Sequence, residues 1–250
     1  MSVPREKRRG GVVEATVFTL AGVAILVGLG IWQLDRKVWK ENLITALNTR
    51  LARAPEALPP RESWPQLKPE ADEYARVKFP AEFLAGQEAL VYTAGSAFRP
   101  DVQGPGYWVF APARLDGGSI VIIDRGFVPP DRKDPASRAQ GVPHGTVDIV
   151  GVLRWPEAPG MFTPADDPKT NVWYLRDSKA IAAAKKWDSA APFYIEQEAP
   201  VPPGRLPKPG KLVVQLPDNH LQYALTWFAL ALGLAGVYGV WVAGRVRRAA

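Results

Sequence analysis

The chain is strongly hydrophobic at its two ends. An apolar run from Ala15 to Gln33 and a second from Leu221 to Gly244 each reach the roughly 20 residues that cross the hydrocarbon of a bilayer. Hydrocarbon offers backbone polar groups no water, so single runs of this length are read as helices. Two membrane helices then bracket a water-soluble middle.

Charge sets the expected orientation. Arg5, Lys7, Arg8 and Arg9 precede the first run and Arg245, Arg247 and Arg248 follow the second, and basic residues flanking a span favour the cytoplasmic side. The formal net charge is +6, of which residues 1–14 carry +2 and residues 245–250 carry +3, so +1 is left for everything between. The basic balance therefore reports topology, and nucleic acid is not an expected partner. The resulting division is a cytoplasmic basic tail at 1–14, a transmembrane helix at 15–33, an extracytoplasmic (periplasmic) β-rich domain at 34–218, a transmembrane helix at 219–244 and a cytoplasmic basic tail at 245–250.

The first run is read as an anchor that stays. It is longer than a usual signal-peptide core, and Trp32, Gln33 and Leu34 close it where small residues would mark cleavage. Only a short basic tail precedes it, with no transit peptide, which points to a bacterial inner membrane. The chain has no cysteine, so neither disulfides nor thiolate chemistry enter. Twenty-five prolines in 250 residues predict few long helices outside the membrane.

Trp39, Leu43, Leu47 and Leu51 recur every four residues and extend the first helix toward Pro55. Strand patterns follow at Tyr74–Leu84, Ala89–Thr93, Tyr107–Leu115, Ser119–Val128, Thr146–Arg154, Phe193–Gln197 and Lys211–Leu216, with a short helix at Ser178–Trp187. Asp116-Gly117 marks a hairpin turn. Pro80 predicts an edge or a bulge in its strand, and the Pro-rich stretch 200–209 reads as a stiff connector. The fold class expected is an α+β membrane protein, with two transmembrane helices flanking one antiparallel, barrel- or sandwich-like domain with short helices.

Catalytic patterns are missing. There is no Gly-rich phosphate loop, no Gly-x-Ser-x-Gly elbow and no His-x-x-x-His pair, and the two histidines are His144 and His220. A non-enzymatic role is therefore expected, with function resting on binding, a cofactor or the helices. His220 opens the second apolar run, and helical spacing puts Tyr223, Ala224 and Trp227 below it on one face. Two readings of it stand: an axial ligand for haem iron, with aromatic and small residues suiting a flat macrocycle, or a polar residue in an aromatic interface belt with Trp32, Tyr223 and Trp227. Helical pairing would bring Trp32 and Gln33 to the depth of His220. Ala231, Ala235, Gly239 and Ala243 form a small-residue stripe suited to that pairing, with Gly22, Gly28 and Gly30 as facing candidates. Arg125, beside Gly126, reads as a structural tie to a carboxylate or to carbonyls.

Three segments resemble a known family. Gly30-Ile31-Trp32-Gln33-Leu34-Asp35-Arg36-Lys37-Val38-Trp39-Lys40 is similar to the Gly-x-Trp-Gln-x-x-Arg-x-x-x-Lys signature of the surfeit-locus (Surfeit/Shy) cytochrome c oxidase assembly factors. Ile122-Ile123-Asp124-Arg125-Gly126-Phe127-Val128-Pro129 resembles their Val-Asn-Arg-Gly-Trp-Val-Pro motif, with Asp124 in place of the usual Asn and Phe127 in place of Trp. Asn219-His220-Leu221-Gln222-Tyr223-Ala224-Leu225-Thr226-Trp227 is similar to their Asn-His-Leu-x-Tyr-Ala-x-Thr-Trp motif.

The resemblance implies a membrane factor that matures the haem a centres of cytochrome c oxidase subunit I, with haem a as cofactor and with subunit I, haem a synthase and the lipid bilayer as partners. His220 is the residue carried over as ligand to the haem iron. Trp32, Tyr223 and Trp227 are then expected to line the same haem site. Arg36 and Lys40, one turn apart, have two readings: partners of the haem propionates, or an interface anchor on a solvated helix face.

Overall fold

The computed structural model of the chain describes residues 6–188, 190–214 and 218–248. Its elements run in the order α1 (Glu6–Ala52), β1 (Glu56–Ala57), a 3-10 turn at Arg61–Gln66, α2 (Pro69–Asp72), β2 (Arg76–Phe83), β3 (Ala89–Gly95), β4 (Gln103–Arg114), β5 (Ile120–Val128), β6 (Thr146–Arg154), β7 (Val172–Trp173), α3 (Ser178–Lys185), β8 (Ala190–Ala199) and α4 (His220–Arg247). The chain divides into two compact units: the long helices, comprising α1 up to Thr45 together with α4, and the segment from Ala46 onward that holds the β-strands.

In the first unit α1 and α4 are each long and apolar enough to cross a membrane, by length and composition. At 1.5 Å per residue, α1 extends for about 70 Å, well beyond the apolar run at 15–33. No proline interrupts it and the leucine stripe after Trp39 continues the helical pattern. The two helices run antiparallel: Thr16 hydrogen-bonds Tyr238, Phe228 lies against Gly30, and Gln33 meets His220.

Small residues make this pairing possible, though not the whole set expected. Ala224 and Ala231 are buried, and a Cβ on Gly30 would sit 2.4 Å from the Phe228 ring. Ala235, Gly239 and Ala243 are exposed, so the seam follows 224, 228, 231, 234 and 238. A mixture of three- and four-residue steps keeps one face against a partner helix, whereas a strict four-residue stripe drifts off that face. This corrects the expected stripe beyond Ala231, and Gly28 likewise has no neighbour there.

In the second unit eight strands form one sheet in the order β1-β2-β6-β8-β5-β4-β3-β7, and a further pairing of β2 with β4 joins Glu82 to Arg114 and Phe83 to Ala113. Strands β2, β6, β8, β5 and β4 thereby close into a small barrel. Alternation fills it: Phe79 of β2, Val121 and Ile123 of β5, Ile149 and Leu153 of β6, and Phe193 and Ile195 of β8 pack inside. Trp64 caps the cluster, its ring 5.4 Å from that of Phe193.

A second core lies on the outer face of the same strands. There Trp108 and Phe110 of β4, Ile122 of β5 and Tyr194 of β8 pack under Ile181 and Ala182 of α3. Being covered on both faces, all nine residues of β5 are buried, which explains the apolar run Ile120–Ile123 at its start.

The sheet is mixed, which corrects the purely antiparallel expectation. β5 pairs with β8 in parallel, as do β1 with β2 and β3 with β7, because α3 and its flanking loops carry the chain back across the sheet before β8. Pro80 lies where β2 has no second neighbour, between its pairings to β1 and β4, so the missing N–H leaves no ladder partner wanting there. The hairpin turn places Gly117 and Gly118 at φ +87° and +83°. Asp177 caps α3 through the N–H groups of Lys179 and Ala180. Lys211–Val214 is not strand, and the remainder of that expected strand, 215–216, lies outside the described residues. The Pro-rich stretch, expected as a stiff connector, is also tied to the barrel, since Lys208 exchanges both backbone hydrogen bonds with Phe127.

Candidate functional site

In the helix pair, α4 begins at His220, whose backbone N–H donates to Asp218 Oδ1 at 3.0 Å. That bond satisfies one of the donors a helix start leaves open. The imidazole is half-buried, and its Nδ1 lies 2.7 Å from Gln33 Oε1 on α1. With the amide oxygen accepting, Nδ1 carries the proton and Nε2 keeps its lone pair. A histidine held through one nitrogen with the other free is the arrangement by which proteins orient a metal-binding imidazole.

The residues expected around His220 divide. Ala224, one turn below, is fully buried in the helix seam. Trp227 is half-buried, while Tyr223 and Trp32 are each 55% exposed. Arg36 is exposed, with its guanidinium carbon 4.0 Å above the centroid of the Trp39 ring. The structure thus joins His220 to Gln33, and it sets Tyr223 on a different part of the helix surface from Ala224. The single shared face expected below His220 does not form, because positions three and four residues on straddle the seam. Sequence reasoning put Gln33 at this depth but missed its bond and the Asp218 cap.

The barrel holds a dense cluster of charge. The alternation that sends Ile123 and Ile195 inward sends Asp124 and Glu196, adjacent in the β5–β8 pairing, to the other face. Glu196 Oε2 accepts from Arg176 Nη1 at 3.1 Å and from Arg154 Nη1 at 3.2 Å, and Arg154 Nε donates to Glu73 at 3.1 Å. Arg176 also lies 3.8 Å from Asp124 and stacks 4.5 Å from the Trp108 ring centroid. Burial pushes the Asp124 carboxyl up to about 7 against the pull of Arg176, with Glu196 adding to the rise. Tyr194 is likewise pushed up by burial. The nearby acids hold both Arg154 and Arg176 above the usual guanidinium value despite burial.

The Asp-Arg-Gly segment is a structural knot. Asp124 Oδ1 accepts from the Gly126 N–H at 3.0 Å, and Arg125 Nη2 donates to the Gly141 carbonyl at 2.5 Å, as its reading as a tie to carbonyls anticipated. Gly126 has φ +115° and a Cβ there would lie 2.1 Å from the Lys208 carbonyl oxygen. Only glycine fits. Among the described residues no group of three or more histidine or carboxylate side chains converges to hold a metal ion, so a metal centre built wholly from protein side chains is not seen there.

These features define a class: two long apolar helices, a small mixed barrel, and one histidine oriented across the helix pair. A sequence model described as the SURF1 family matches residues 20–232. A SURF1-like protein from Monosiga brevicollis is 34% identical over 244 residues, covering 92% of this chain and 87% of the relative. A SURF1-like protein from Drosophila melanogaster is 36% identical, covering 86% and 73% respectively. Surfeit locus protein 1 from Homo sapiens is 32% identical, covering 82% and 69%. The chain belongs to the SURF1 family.

Proposed function

We propose that this chain is a membrane-embedded, non-enzymatic biogenesis factor for cytochrome c oxidase that holds haem a through His220 and aids its insertion into subunit I. Family membership supports the oxidase-assembly role. The observation that carries the haem reading is the His220–Gln33 bond, which fixes the ring and leaves Nε2 free as an axial donor. Haem a would supply an iron that accepts that nitrogen. Trp32 and Trp227, at the same end of the helix pair, offer aromatic surface to the macrocycle, and Arg36 offers a cation for a propionate.

In this reading α1 and α4 cross the inner membrane of a bacterium with both basic tails in the cytoplasm, and the barrel lies in the periplasm. Haem a synthase supplies the pigment and subunit I receives it. Two measurements test the proposal. Reporter fusions at both termini should be cytoplasmic and one near Gln140 exported, and an exported C-terminal fusion refutes the topology. Protein co-expressed with haem a synthase should purify with a haem a absorption band, and a colourless preparation favours a cofactor-free role in stabilising an assembly intermediate.

A further inference from the structure

The barrel unit contains a cavity of about 360 Å³ beside the Asp-Arg-Gly knot, within the range that binds small organic ligands. Phe83, Val147, Pro200 and Val201 supply a largely apolar wall, and Arg125, Gln140, His144 and Gln197 supply polar groups. Four arginines are buried among the described residues: Arg99, Arg125, Arg138 and Arg154. Three hold a carboxylate, Arg99 pairing with Asp101, Arg138 with Glu88, and Arg154 with Glu73 and Glu196.

Arg125 is the exception. It is 7% exposed, its one hydrogen bond among the described residues goes to the Gly141 carbonyl, and its guanidinium lies 4.9 Å from the Phe83 ring centroid. Glu88, the acid whose field reaches it, is already paired with Arg138. The absence of a paired acid shows in its proton affinity, which burial pushes down to about 10. Gln197, 5% exposed, donates through Nε2 to the Pro200 carbonyl at 2.8 Å, while its Oε1 has no partner. A buried cation without a paired acid is costly, and an anionic ligand in the cavity would remove that cost.

We propose that this cavity binds a small apolar carboxylic acid, its carboxylate against Arg125 and its body against the Phe83, Val147 and Val201 wall. A single guanidinium fork matches a single carboxylate.

The test uses the full chain in lipid nanodiscs, titrated with 3-phenylpropionate and, separately, with its neutral amide. Calorimetry should show saturable binding of the acid and at least tenfold weaker binding of the amide. Arg125→Gln should weaken the acid at least tenfold, but Arg125 also ties the Gly141 loop. Val201→Trp separates the two effects, because Val201 is 58% exposed and a larger ring there fills the cavity without touching that tie. It should keep the parental unfolding midpoint and lose the acid by at least tenfold. No saturable binding of the acid, equal binding of acid and amide, or a folded Val201→Trp protein with unchanged affinity would each overturn the proposal.

Discussion

The helix pair and the barrel both bring polar groups together, on opposite terms. In the helix pair a hydrogen bond joins the partners near either end, Thr16 to Tyr238 and Gln33 to His220, and His220 stays half-buried with one ring nitrogen uncommitted. In the barrel, Arg154, Arg176, Glu196, Asp124 and Tyr194 are packed together, and Asp124, Glu196 and Tyr194 are almost entirely shut from solvent. This dense charge cluster is therefore a fastening between β5, β6, β8 and the loop before α3. The sparser site in the helix pair is the more open to solvent. Strength of electrostatics and availability for binding are separate properties.

The comparison breaks first at Glu196. Replacing it by Ala leaves the buried Arg154 and the half-buried Arg176 without their shared acid, and removing one partner of a buried ion pair costs about 3–5 kcal/mol. Urea unfolding followed by tryptophan fluorescence should show that loss; a change under about 1 kcal/mol would mean that the cluster is not a fastening.

A smaller effect is expected from pH at Asp124. Its carboxyl rises from 3.8 to about 7 in the folded protein, so between those values the native state holds a proton that the unfolded chain has released. This contribution is fully present below about pH 4 and is lost as pH rises toward 7. Asp124→Asn retains an oxygen for the Gly126 N–H and removes the titration. It should flatten the decline and be more stable than the parent at pH 8. Parallel pH profiles for the two proteins would refute the assignment.

The smallest stability effect belongs to the helix pair. Gln33→Leu removes one interhelical hydrogen bond, worth on average about 0.6 kcal/mol in a membrane bundle. Unfolding should barely register it, while haem retention should fall. A large loss of stability would show that the bond holds the helices together and is not chiefly there to orient His220.

Much of this was legible in the sequence where the signal is local. Both long helices follow from apolar runs, six of the expected strands follow from alternation, and Gly117 and Gly118 occupy the turn that Asp-Gly announces. The parallel β5–β8 pairing was not legible, since it depends on how the chain returns across the sheet. Nor was the cluster: Glu73, Asp124, Arg154, Arg176 and Glu196 are scattered over more than a hundred residues and meet only through strand register. His220 stood out by its place at the head of α4. Its partner Gln33 lies 187 positions away, and no periodicity announces such a pair.

The central claim is that His220 supplies a nitrogen to haem a, and the direct measurement is the absorption spectrum of the full chain purified after co-expression with haem a synthase, parent beside His220→Ala. The parent should carry haem a, and His220→Ala should lose it or show a shifted spectrum while inserting normally, because insertion depends on the apolar run that follows. Variants at Trp32 or Trp227 should retain more pigment, and one at Arg36 more still, an exposed ion pair being worth only about 0–1 kcal/mol. A His220→Ala protein that keeps haem a with the parental spectrum would contradict the account.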